Sequence, residues 1–230
     1  MRRRIATMLL MLGATAAAPR TPAQLDSQEV LARYAAALEK TALPRTVVFD
    51  YSISQAGPHV IEQRHRIYRT GTVQRDEISY VDGQAINPPH IRIIRHEDRY
   101  VVRRLAPRPG PYFFLFQGVK KFGKHLGYVY RTIPLRAANF SVESVSIDGL
   151  TYLPTAIHFK TQGGLARGSG VVMYAKSERY WVPVLAAVNA ELAGHPAQER
   201  IVWSGYRFPK SLPQSTFEQP RPLPTSSVAP

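Results

Sequence analysis

The chain has 230 residues, 44% hydrophobic and 20% charged, a balance that excludes a disordered protein and suits a single globular domain. It has no cysteine, which excludes disulfides, thiol catalysis, thiolate metal ligands and a lipid-attachment cysteine. A formal charge of +14 points to anionic partners, or simply to a surface kept soluble by its own repulsion.

Residues 1–18, MRRRIATMLLMLGATAAA, join three arginines, an apolar run from Ile5 to Leu12 and small residues, the layout of a secretory signal peptide. The run is short for a membrane span, although an uncleaved anchor is the alternative. Cleavage after Ala16 or Ala23 fits the small residues there, and Ala23 is preferred, giving a leader at 1–23 and a periplasmic or otherwise exported mature chain. Its loss leaves 26 basic against 16 acidic residues. Behind an export signal the expected anionic partner is a phospholipid surface touched transiently. Nucleic acid is not expected, despite arginines beside tyrosines at 67–69, 98–104 and 129–131.

Residues 26–41, DSQEVLARYAAALEKT, predict a helix capped by Asp26 or Ser27, with Val30, Leu31, Tyr34, Ala35 and Leu38 at three- and four-residue spacing, ended by Leu43-Pro44. The period then becomes two. TVVFDYSIS (46–54) places Val47, Phe49, Tyr51 and Ile53 on one face, and strands follow at 60–70 and 73–81 with tight turns between them. Residues 82–89 read as a loop from their Gly, Asn and Pro, and 90–105 as a hairpin turning at His96-Glu97-Asp98. Further strands are predicted at 139–147, 150–161, 169–176, 179–189 and 198–208, turning at Asp148-Gly149, Gly163-Gly164 and Lys176-Ser177.

About ten strands and one helix predict a mainly β (α+β) fold, one large curved antiparallel sheet or incomplete barrel with an N-terminal helix and a short aromatic lid or crossover segment. That segment is 106–130, where Tyr112, Phe113, Phe114, Leu115 and Phe116 run consecutively and Lys120, Lys121, Lys124 and His125 follow. Five such residues cannot all face one core from a strand, so they predict a lid over a lipid pocket with lysines at its mouth, or a plug filling the interior. One domain spans 24–219, and the proline-rich 220–230 predicts a disordered tail.

No catalytic constellation assembles. His59 and His65 are too far apart along a strand to share a metal, as are His90 and His96 unless the chain folds back between them. Gly168-Ser169-Gly170 lacks the spacing of a nucleophile turn, and Asp76-Glu77 and Glu97-Asp98 read as solvated charge. No cofactor and no metal are expected.

The segment IVWSGYRFPKSLPQSTFEQPRP (201–222) holds Tyr206, Phe208, Leu212, Pro213, Phe217 and Pro220, a rigid apolar hook expected to close one edge of the sheet. It resembles the C-terminal strand of the outer-membrane lipoprotein carrier (LolA-like and LolB-like) family. LPTAIHF (153–159) and YWVPVLAAV (180–188) are similar to its sheet-centre strands. The resemblance implies an incomplete barrel over a hydrophobic cavity that carries acyl chains without catalysis. It makes Arg69 the counterpart of a lid-tethering arginine, although Thr70 stands where that family has proline. The expected ligand-binding residues are Arg69, Tyr112, Phe113, Phe114, Phe116 and Trp203. The expected role is a monomeric exported carrier or binding protein for lipid, acyl chains or lipid-modified protein. The alternatives are an envelope sensor gripping a protein partner with the same sheet, and an exported enzyme.

Overall fold

A computed structural model describes residues 26–57, 60–95, 100–122, 125–163, 166–192 and 194–218. The expected leader at 1–23, the tail at 220–230, His59, the 96–98 turn, Lys124 and Gly164 lie outside them.

Helix α1 spans Ser27–Lys40, and the Asp26 carboxylate accepts the Gln28 N–H at 3.2 Å as its cap. Eleven strands follow: β1 (Thr46–Ala56), β2 (Ile61–Thr70), β3 (Val73–Val81), β4 (Gln84–Arg95), β5 (Tyr112–Phe122), β6 (His125–Pro134), β7 (Phe140–Asp148), β8 (Pro154–Gly163), β9 (Ala166–Ser177), β10 (Tyr180–Leu192) and β11 (His195–Arg207). A one-turn helix α2, Val102–Leu105, lies between β4 and β5. All the strands join one curved, unclosed antiparallel sheet in the order β4-β3-β2-β1-β11-β10-β9-β8-β7-β6-β5.

This order explains the layout. The chain meanders outward from β1 to one edge, crosses the sheet through residues 100–111, and meanders back from the other edge. β11 then pairs with β1 on one side and β10 on the other. The aromatic hook therefore closes no edge, contrary to the sequence expectation: it leaves the middle of the sheet. Its end, a 3-10 turn at Gln214–Phe217, packs toward β3, where Arg75 Nη1 donates to the Thr216 carbonyl at 3.2 Å.

Three further expectations are corrected. Residues 84–95 are a strand and not partly a loop, because β4 is an edge strand and tolerates Pro88 and Pro89 where a central strand would lose ladder hydrogen bonds. The second arm of the 90–105 hairpin is instead the crossover with α2. The 106–130 lid is hairpin β5–β6, reached through the proline-rich crossover. Alternation resolves its aromatic run: Phe114 faces Tyr34 and Tyr130 at centroid distances of 6.1 and 6.0 Å, while Phe113 points the other way and is 56% exposed.

α1 lies over the β5–β9 half of the concave face, with Val30, Tyr34 and Leu38 buried in the same core as Tyr130, Val145, Ile147, Ile157 and Val172. The Tyr34 hydroxyl donates to the Pro107 carbonyl at 2.6 Å and the Tyr174 hydroxyl to that of Tyr100 at 3.0 Å, pinning the crossover to helix and sheet. Arg103 and Arg108 both reach Glu39 of α1.

Candidate functional site

Between the crossover and strands β1–β4, β10 and β11 lies a hollow of about 310 Å³, at the lower end of the range of small-molecule pockets. One wall is the predicted inward face of β1, Val47, Phe49, Tyr51 and Ile53. Beside it on the same sheet stand Ile201, Trp203 and Tyr206 of β11 and Trp181 and Pro183 of β10, and the crossover adds Tyr100, whose ring meets Trp203 at 5.2 Å.

Trp203 and Tyr206 are three residues apart and would face opposite sides of a regular strand. A bulge makes them neighbours: between the pairs Asp50–Ser204 and Val48–Arg207, two steps on β1 oppose three on β11. Gly205 takes φ +62° there, and a Cβ on it would lie 2.8 Å from an Asp50 carboxylate oxygen. The extra residue turns Tyr206 inward, onto Phe49 at 5.2 Å.

The remaining wall is polar and comes from three strands in register. Val47, Arg69, Gln74 and Ile94 form one cross-strand row; Phe49, Ile67, Asp76 and Arg92 form the next. Arg69, Gln74, Asp76, Arg92 and Ile94 all line the hollow. Asp76 is buried. One of its carboxylate oxygens meets His65 Nδ1 at 2.7 Å and the other accepts from Arg92 Nη2 at 2.6 Å, while the Tyr51 ring stacks on His65 at 4.3 Å. Burial by itself raises the Asp76 pKa, but the hydrogen bonds from His65 and Arg92 outweigh it and hold the carboxyl below its ordinary value. Burial also pushes the Tyr51 and Tyr206 phenols up, with Arg69 drawing Tyr206 partly back.

A depressed folded-state pKa means that the ionised Asp76 stabilises the fold above the ordinary carboxyl value near 4 and that this contribution disappears as pH falls through the lower folded value. Asp76→Asn is therefore expected to lower the urea midpoint at pH 7 and to lessen its fall between pH 5 and 3. An unchanged acid limb in the variant would remove Asp76 from that role.

Of the residues expected from sequence to contact ligand, Arg69 and Trp203 line the hollow. Tyr112, Phe113, Phe114 and Phe116 lie on β5 at the far edge of the sheet and are not among its lining residues. Sequence reading missed Gln74, Asp76 and Arg92, and it took the Asp76-Glu77 pair for solvated charge. Only Asp76 points inward; Glu77 pairs with Arg75. The signal was alternation: Gln74, Asp76 and Ile78 share one face of β3 with an apolar residue among them. Among the described residues no three His, Asp or Glu side chains converge as a metal site, and no helix is long and apolar enough to cross a membrane.

The sequence matches no protein-family model and no curated protein. Among solved structures, the chain is similar to a DUF1329 family protein from Desulfovibrio piger at 13% identity, over 82% of this chain and 97% of that one, with a TM-score of 0.45. It is similar to a LolA superfamily protein from Nitrosomonas europaea at 13% identity over 85% and 98%, TM-score 0.40. It is also similar to an outer membrane lipoprotein-sorting protein domain from Vibrio parahaemolyticus at 13% identity over 84% and 97%, TM-score 0.46.

Proposed function

We propose that this protein is an exported, non-enzymatic carrier or binding protein that takes an acyl chain of a lipid or lipid-modified protein into the hollow beside β1 and β11. The observation that carries this reading is a hollow with aromatic and aliphatic walls and one polar wall, roofed by a crossover. Each methylene moved from water into such walls contributes about 0.8 kcal/mol, so enclosure suffices and no reactive group is needed. Trp203 and Phe49 contact the chain and Arg69 meets the polar head. The protein works as a monomer in the periplasm or an equivalent compartment, without nucleic acid.

The test is mass spectrometry of lipid extracted from gently purified protein, with titration of a fluorescent fatty acid. Bound lipid, or saturable uptake with one site per chain, is expected. Empty protein with no uptake would overturn the reading.

One observation favours a second reading. Edge strand β5 and the adjoining β6 expose Phe113 and Ile133, Leu135 just after β6 is 64% exposed, and Lys120 and Lys121 also lie on β5. An apolar edge beside cations suits docking on a protein partner or brief contact with an anionic membrane. Pull-down with envelope proteins and flotation with anionic vesicles separate those outcomes from lipid carriage.

A further inference from the structure

Gln74 is one of the most enclosed polar groups of the protein, 5% exposed, and its Oε1 has no hydrogen-bond partner. Its side chain lines the hollow. A buried acceptor left unsatisfied is costly, and native folds keep one chiefly where something else supplies the donor. The surroundings say what kind of molecule that is. Arg69 is its cross-strand neighbour on β2, and Arg92, which donates to Asp76, stands in the next row on β4; both arginines line the hollow. Arg92 commits Nη2 to Asp76, and its side chain remains 47% exposed. Phe49, Ile53, Ile201 and Trp203 make the apolar side of the same hollow.

We infer that the hollow selects amphiphiles whose head joins an anionic group to a nearby hydrogen-bond donor, as in an N-acyl amino acid, over plain fatty acids. This rests on the acyl-chain reading above. The carboxylate of such a ligand meets the arginine pair, its amide N–H donates to Gln74 Oε1, and its chain lies along β1 and β11. A fatty acid can meet the arginines but leaves Gln74 Oε1 without a donor. A 3-hydroxy acid supplies a donor of another kind at a similar distance from its carboxylate.

The experiment measures displacement of a fluorescent fatty acid from the full chain by four ligands of equal chain length: palmitate, 3-hydroxypalmitate, N-palmitoylglycine and N-palmitoylsarcosine, which differs from the glycine amide by a methyl in place of the N–H. N-palmitoylglycine is expected to bind about tenfold more tightly than N-palmitoylsarcosine. Gln74→Met, which keeps the side chain's length without the acceptor, should abolish that difference and leave the melting temperature equal or higher. A tighter grip on 3-hydroxypalmitate than on palmitate, also lost in Gln74→Met, supports the same site with a hydroxyl as donor. Equal affinities for the glycine and sarcosine amides, or a preference that survives Gln74→Met, would overturn the inference while carriage stands. Failure of all four to displace the probe from a protein that does bind it would likewise overturn it, whereas failure of the probe to bind at all defeats the carrier reading beneath it.

Discussion

Placing indole rings in the hollow by the double change Ile53→Trp and Ile94→Trp is expected to cut acyl-chain affinity by roughly two orders of magnitude. Both residues line the hollow, Ile53 on β1 and Ile94 on β4. Excluding about four methylenes from the walls forfeits about 3 kcal/mol of transfer free energy, which is that factor in affinity. Neither position is a tight core site: Ile53 is half-buried and Ile94 is 38% exposed, so the larger rings have room and overpacking strain is small. The melting temperature should stay within about 5 °C of the parent. Undiminished uptake of a fluorescent fatty acid by the double variant would place the chain elsewhere, with the β5 edge the next surface to examine.

The largest expected loss of stability comes from Tyr34→Ala, about 3 to 5 kcal/mol in urea unfolding. Tyr34 is fully buried, packs its ring edge-on against Phe114 and donates its hydroxyl to the Pro107 carbonyl. One side chain therefore joins α1, the crossover and β5. Tyr34→Phe keeps the ring and strands the carbonyl, so about 1 to 3 kcal/mol is expected. Burial raises the phenol pKa of Tyr34, and likewise that of Tyr174, far above the ordinary value near 10. Groups raised in this way stabilise the fold fully below that ordinary value and lose their contribution as pH climbs toward the folded-state value. The parent should thus unfold progressively more easily above about pH 10, and Tyr34→Phe should show a shallower alkaline limb. A Tyr34→Ala variant within 1 kcal/mol of the parent would mean that α1 does not need this anchor.

The period-two runs that became β1, β2 and β3 were readable from sequence: in β2 and β3 buried residues alternate with wetter ones, and in β1 the inward set Val47, Phe49, Tyr51, Ile53 forms a wall of the hollow. Asp148 was readable too: its carboxylate takes the Leu150 and Thr151 N–H groups and makes the turn its sequence announces. The two edge strands were harder. Edge positions relax the rules that identify strands, admitting proline in β4 and unbroken aromatics in β5. The polar wall was hidden for another reason. Asp76, Arg92 and His65 are ordinary polar residues of their own segments, and only the pairing of β2, β3 and β4 brings them to one carboxylate. Tyr206 needed a bulge that no spacing rule anticipates.

The position of β11 has a consequence for how the molecule comes into being. Val48 finds its partner Arg207 only across a loop of more than 150 residues, so the union of the two meanders must await the synthesis of β11. A polypeptide emerging N-terminus first holds two unfinished half-sheets, each with a raw inner border, until the final strand slides between them and seals both at once. Shortening the chain to residue 194 would leave that seam open, and binding by exposed borders of neighbouring copies would produce aggregates.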